Sequence, residues 1–308
     1  MLKILQNIDF STLIKKKYIG IAFIILFCLN MIEQKYLFSQ QPETQNHFAK
    51  SNQKLNLKIQ LPEKLSLELV QTLPHYADSY CQGLYYEFDQ KLQRPVFYES
   101  SGRYGKSKLK KIDIQNGQTL QEIDLPERFF GEGLAVVDNL IYLLTWQERT
   151  CLVLDKETFK QIDDFRYPNE GWGLTFDGKN LVMSDGTSQI RFVNPKTFKI
   201  EKKLDVFYYN TEGKKRSIDN INELEFIEGE IWANIFQTPY IIRINPQTGQ
   251  VIEVLNFKVI IPKGYENHSD FVLNGIAYNQ SNNHIFLTGK CWPILYELKI
   301  TNFTTSTQ

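Results

Sequence analysis

The sequence predicts an all-β protein, a five-bladed β-propeller with a hydrophobic N-terminal signal or anchor segment ahead of it. Three observations point there. Five segments open alike: Gln82-Gly83-Leu84, Glu132-Gly133-Leu134, Trp172-Gly173-Leu174, Glu223-Leu224-Glu225 and Asn274-Gly275-Ile276. Their starts lie roughly 50, 40, 50 and 50 residues apart, the period of propeller blades. Turn-forming pairs such as Asn116-Gly117, Asp138-Asn139, Asp177-Gly178, Glu228-Gly229 and Asn282-Asn283 separate strand-like runs, as hairpins require. Finally, aromatic residues make up 13% of the 308 residues and no 3.6-residue apolar period persists through the body, which suits stacked sheets filled by rings.

The elements follow in chain order. Lys15, Lys16 and Lys17 precede a mostly apolar run from Tyr18 to Ile32, the pattern of an export signal. The run is short beside the roughly 17–25 residues of a spanning helix. Residues 1–35 are therefore expected to be a signal peptide or a signal-anchor with a cytoplasmic N-terminus. Residues 36–62, rich in Gln, Asn, Ser and Lys, are expected to form a polar linker. The propeller is expected over 63–303, with 304–308 as a tail. Residues 65–71 alternate apolar and polar, as a half-buried strand does. Residues 65–73 are expected to complete the last blade beside 294–298, joining the chain ends and hiding a sheet edge. Residues 140–144, 180–183, 230–234 and 284–287 read as inner strands. Asp155, Asn194 and Asn245 each end a strand and open a turn, which their side chains favour by bonding nearby backbone. The two loosest connections, 207–221 and 262–271, leave room for a helix pair.

Lys+Arg and Asp+Glu both total 35, so no basic excess argues for nucleic acid, and membrane contact is expected only through the N-terminal segment. Cys28, Cys81, Cys151 and Cys291 contain no CxxC pair and match no zinc pattern. They are expected to be buried free thiols, with one disulfide open to an exported chain. His47, His75, His268 and His284 are scattered; no GxSxG and no phosphate loop occurs. Asn267-His268-Ser269 and Asn302-Phe303-Thr304 are glycosylation sequons, meaningful only in a eukaryotic secretory route.

If the five openings share one level of the blades, their side chains converge on one mouth of the central channel. Glu132 lies between glycines and follows Phe129 and Phe130. A carboxyl group among rings loses hydration and its pKa rises, as general acid/base work near neutral pH requires. A carboxylate in such a turn serves equally well to satisfy backbone N–H groups. Gln82, Asn222 and Lys290 stand at comparable places, where they could fix a carbonyl oxygen or an amide, or act as structural hydrogen-bonders. Trp146, Trp172 and Trp292 end strands; each is either core or a wall suited to a cationic or amide-bearing guest. Trp232 reads as core, and Asp185 in Ser184-Asp185-Gly186-Thr187 as a turn residue.

Taken in order, the motifs resemble those of the plant-type glutaminyl cyclases and their bacterial relatives. The resemblance rests on Gln82-Gly83-Leu84, Tyr98-Glu99-Ser100-Ser101-Gly102, Phe130-Gly131-Glu132-Gly133-Leu134, Thr145-Trp146 and Gly171-Trp172-Gly173-Leu174. It continues through Ser184-Asp185-Gly186-Thr187, Asn222-Glu223-Leu224-Glu225, Trp232-Ala233-Asn234, Leu273-Asn274-Gly275-Ile276-Ala277 and Thr288-Gly289-Lys290 with Trp292-Pro293. It implies a five-bladed propeller that converts the N-terminal Gln of peptides or proteins to pyroglutamate with loss of ammonia. It further implies Glu132 as acid/base, and Gln82, Asn222 and Lys290 as polar binding residues. Phe130, Trp146 and Trp172 would be aromatic walls, with no catalytic metal and no cofactor. Two departures keep a ring: Tyr80-Cys81 stand where the family commonly has Phe-Thr, and Phe236 where it commonly has Trp. Tyr80 and Phe236 therefore remain candidates for substrate binding. The expected protein is a monomer exported to a periplasm, extracellular space or secretory lumen, with residues 18–32 as the candidate tether. The alternative is a non-catalytic propeller that binds peptides or a protein partner. A propeller lactonase would need a metal cluster of carboxylates and amides, for which the sequence makes no strong case.

Overall fold

Successive side chains of a strand point to opposite faces, so a strand that is apolar throughout needs a neighbour on each side. In a computed structural model, which describes residues 58–59 and 65–303, the strand Leu140–Thr145 shows the outcome. Ile141 and Leu143 pack with Val96, Tyr98 and Leu109 of the preceding sheet, while Tyr142 and Leu144 pack with Leu181 and Met183 of the following one. Five apolar clusters fill five such junctions among the described residues. No sheet could bury both faces alone, which is why the blades stack in a circle.

Each blade is an antiparallel meander. The innermost strands are Cys81–Asp89, Gly131–Val137, Leu174–Phe176, Ile221–Ile227 and Leu273–Asn279; each touches the next, and the last returns to the first. The outermost strands, such as Gln161–Arg166 with almost every residue exposed, face water. The ring closes as expected: Leu65–Pro74 pairs with Ile294–Phe303, Leu73 opposite Leu295 and Leu69 opposite Leu298.

Several expectations need correction. Residues 140–144, 180–183, 230–234 and 284–287 belong to second strands, one step out from the axis; the opening segments themselves are innermost. The expected linker 36–62 contains a strand, Lys58–Ile59, which pairs with Leu67 and Glu68 and covers the free edge of the closing strand. No helix pair fills 207–221: Phe207–Tyr209 and Lys215–Ser217 form a hairpin. In 262–271 no helix or strand forms, and one turn of 3₁₀ helix, Lys258–Ile260, precedes it. Residues 1–35, expected to be a signal or anchor, Cys28 among them, and the expected tail 304–308 lie outside the described residues.

The turn echo holds and gains a member. Asp113, Asp155, Asn194 and Asn245 each accept backbone N–H groups two or three residues on, at 2.8–3.2 Å. The fifth residue of each turn closes it by donating back to the first, at 2.8–2.9 Å. At the axis, neighbouring inner strands approach so closely that glycine is required. A Cβ on Gly133 would stand 2.5 Å from the Leu174 nitrogen, and one on Gly173 would collide with the Asn222 carbonyl oxygen.

Candidate functional site

The opening residues reach one end of the axis. In the fourth blade the equivalent opening is Asn222-Glu223-Leu224, one residue earlier than the sequence echo suggested. Four of the five inner strands break register near their starts, between Cys81 and Gly83, Gly131 and Leu134, Ile221 and Leu224, and Leu273 and Ile276, while Leu174–Phe176 pairs in unbroken register. Such a bulge re-aims the first side chains toward the mouth. Gln82, Glu132, Trp172 and Asn222 come from these openings, Tyr80 and Phe130 from just before them. Trp146, Phe236 and Lys290 follow the ends of the second strands Leu140–Thr145, Glu230–Ile235 and His284–Gly289.

Together these nine residues line one cavity of about 300 Å³. They are the nine singled out in the sequence, and every blade contributes. A larger cavity of about 920 Å³ opens at the other end of the axis. Its one buried acid, Glu225, is pushed up to about 8 by burial, but it already accepts Thr175 and the Tyr278 N–H. The smaller cavity combines convergent polar groups with apolar walls, the usual form of a small-ligand site.

Its walls form a belt. Tyr80 stands edge-on to Phe130 with centroids 6.1 Å apart, Phe130 packs on Trp146 at 5.5 Å, and Trp172 packs on Phe236 at 5.6 Å. The Lys290 ammonium closes the belt, 4.6 Å from the Tyr80 centroid and 4.7 Å from that of Phe236, a favourable place for a cation. Trp292, left open between core and wall, is fully buried core, as is Trp232.

Glu132 is 5% exposed and Lys290 3%. Burial drives the Glu132 pKa well above the ordinary carboxylate range; Lys290 opposes the shift, while Glu170 and Glu148 add to it. Burial also lowers the Lys290 pKa, with Glu132 pulling the other way. Both groups are thus moved toward neutrality, where a proton passes most readily near neutral pH. The Gln82 side-chain carbonyl accepts from Asn274 Nδ2 at 3.4 Å, and Gln82 lines the cavity.

Hydroxyls from second strands fix the backbone beneath. Ser100 donates to the Glu132 carbonyl, and Ser184 donates to the Asn222 carbonyl at 2.7 Å while accepting the Gly173 N–H at 2.8 Å. Asp185 is the turn residue expected, paired with Arg191 at 2.7 Å. Five further residues at this end were not singled out for the site in the sequence. Glu170 accepts from both cavity indoles, and Glu148 accepts Tyr104 Oη at 2.7 Å and the Phe130 N–H at 3.2 Å. Asp270 takes a hydrogen bond from Tyr80 Oη, and the Arg103 guanidinium lies 4.7 Å over the Tyr80 ring. Glu223 stands where four blades have glycine, and its buried carboxyl accepts the Ile276 N–H at 2.9 Å. Only Glu223 had a signal, as the odd member of the glycine column. The described cysteines, Cys81, Cys151 and Cys291, are free and buried.

A buried pair braces the same end. His75 bonds Glu99 at 3.0 Å through Nε2 and the Trp292 carbonyl at 2.7 Å through Nδ1, while Ser79 donates to Glu99. Burial alone would lower the His75 pKa, but the Glu99 charge and hydrogen bond outweigh it and the net shift is upward. A raised histidine pKa gives stability that is complete below the unfolded value, about 6.5, and is lost as pH climbs through the folded value. The urea midpoint is therefore expected to fall as the solution is made more alkaline through that window, and His75→Gln to flatten the fall. Urea titrations at several pH values check this.

Comparison with known proteins agrees with this geometry. A family model described as glutamine cyclotransferase matches residues 43–300. A glutaminyl-peptide cyclotransferase of Arabidopsis thaliana is 35% identical over 241 residues, covering 76% of this chain and 71% of the relative. The crystal structure of Myxococcus xanthus glutaminyl cyclase superposes with a TM-score of 0.66 at 29% identity, covering 77% of this chain and 97% of that one.

Proposed function

Because the chain belongs to the glutamine cyclotransferase family, we propose that it closes the N-terminal Gln of peptides or proteins to pyroglutamate with release of ammonia. The observation that carries this is a buried carboxyl group and a buried amine on one ring-walled cavity of about 300 Å³, room for a single side chain and its backbone.

The substrate's α-amine must be uncharged to attack its own γ-carboxamide carbon. Its ordinary pKa, about 7.7–8.0, lies far above that of a solvated carboxylate. Raising the Glu132 pKa narrows the gap, so Glu132 can take the amine proton as the new N–C bond forms. The C–O double bond opens to an oxyanion, which the Lys290 ammonium and the Gln82 and Asn222 amides can stabilise. The oxyanion then re-forms the carbonyl and expels the amide nitrogen, which takes the proton from Glu132 and leaves as ammonia. The aromatic belt holds the glutamine side chain folded toward its amine and so removes entropy before the reaction begins.

The place of action is inferred from residues 15–32 alone: a lysine-led apolar run would deliver the domain across a membrane. Activity is tested by incubating the protein with a Gln-initiated dipeptide, with and without chelator, and measuring ammonia. Release indifferent to chelator is expected. No release would favour the peptide-binding propeller, and chelator-sensitive release a metal enzyme.

A further inference from the structure

We propose that Glu170 is the positioning residue of the cavity, a carboxylate that locks the indoles of Trp146 and Trp172, carried by two different blades, into one arrangement. The proposal rests on the cyclisation reading for its meaning in catalysis. One oxygen, Oε2, accepts Trp146 Nε1–H at 2.8 Å and Trp172 Nε1–H at 3.0 Å. Hydrogen bonds to a charged acceptor are stronger than neutral ones, and here a single acceptor joins the two halves of the aromatic belt. Phe130 packs edge-on to one indole and Phe236 to the other, so four rings take their orientation from this oxygen.

Glu170 is itself held firmly. Its connector is pinned by the Tyr167 hydroxyl, which donates to the Thr145 carbonyl and accepts the Thr145 N–H at 3.1 Å. Gly171 N–H reaches the Trp146 carbonyl at 3.3 Å, and Trp172 N–H the Ser184 carbonyl at 3.0 Å. The backbone that carries the carboxylate is therefore fixed on both sides of it. Its charge also acts at a distance, adding to the burial that raises the Glu132 pKa.

These two effects separate in two variants. Glu170→Ala removes the acceptor; Glu170→Gln keeps a carbonyl oxygen for both indoles and removes the charge. With the alanine variant, KM for a Gln-initiated dipeptide is expected to rise about 10-fold with a smaller fall in kcat, because the walls no longer preset the substrate. Iodide quenching of tryptophan fluorescence should rise too. Trp232 and Trp292 are fully buried, so the change reports Trp146 and Trp172. With the glutamine variant, quenching and KM should stay near parent values while the acid limb of kcat/KM moves toward acid, since losing a like charge lowers the Glu132 pKa.

Parent-like KM and quenching in Glu170→Ala would overturn the proposal, as would an unmoved acid limb in Glu170→Gln. The isosteric glutamine variant keeps the test open if the alanine variant does not fold. Should the parent protein release no ammonia, the cyclisation reading fails, while the quenching comparison still decides whether Glu170 fixes the indoles.

Discussion

Replacing Glu132 by Gln is expected to leave a folded protein whose kcat on a Gln-initiated dipeptide is about 100- to 10,000-fold lower, the range for losing a general acid/base. The substitution keeps shape and volume at a site 5% exposed to solvent, so the thermal midpoint should shift little. What is lost is a group that accepts a proton and returns it. The consequence extends to Lys290, whose pKa is already lowered by burial and is supported by the Glu132 charge; without that charge it falls further. Near-parent turnover by a folded Glu132→Gln protein would reject the assignment, and ammonia release alongside a melting curve is sufficient to see it.

Lys290→Met is expected to cost about 100- to 1,000-fold in kcat, the scale for one lost oxyanion donor. Methionine has the length to fill the space between Tyr80 and Phe236 but neither charge nor donor. The pH profile gives a second readout. Lys290 is the one neighbour that draws the Glu132 pKa down against burial. Its removal lets that pKa rise, and because the base form of Glu132 is the active one, the acid limb of kcat/KM moves toward alkaline pH. A parent-like rate with an unmoved limb would make Lys290 a packing residue only.

Much of the fold was legible because repetition along the chain becomes repetition around an axis. The spacing of Gly83, Gly133 and Gly173 marks inner strands that pass so closely that a Cβ there would collide with the neighbouring backbone. The fourth blade hid its register because Glu223 occupies the glycine column, so the opening was matched one residue late. The inner strands were misplaced by one because second strands such as Leu140–Thr145 are just as apolar; axis proximity leaves no mark on hydrophobicity. The hairpin of Phe207–Tyr209 and Lys215–Ser217 went unseen since its strands are three residues long and mostly exposed.

For the cavity, the nine lining residues could be located in the sequence through the family motifs. Glu170, Glu148, Asp270 and Arg103 could not, because each acts on a residue of another strand, often in another blade, and no spacing encodes that. The hydroxyl that distinguishes Tyr80 from the family's usual Phe now has a partner in Asp270, 190 positions further along the chain.

The closing pair of strands joins residues near the start of the described chain to residues near its end, Leu65–Pro74 against Ile294–Phe303. From that seam the polypeptide runs directly through His75 and Ser79 into Tyr80 and Gln82. A ribosome that has not yet released the final strand therefore carries an unfinished catalyst: one wall lacks its brace and Lys290 has no settled position. The ring, and with it the settled cavity, closes only when Ile294–Phe303 is free to pair with Leu65–Pro74.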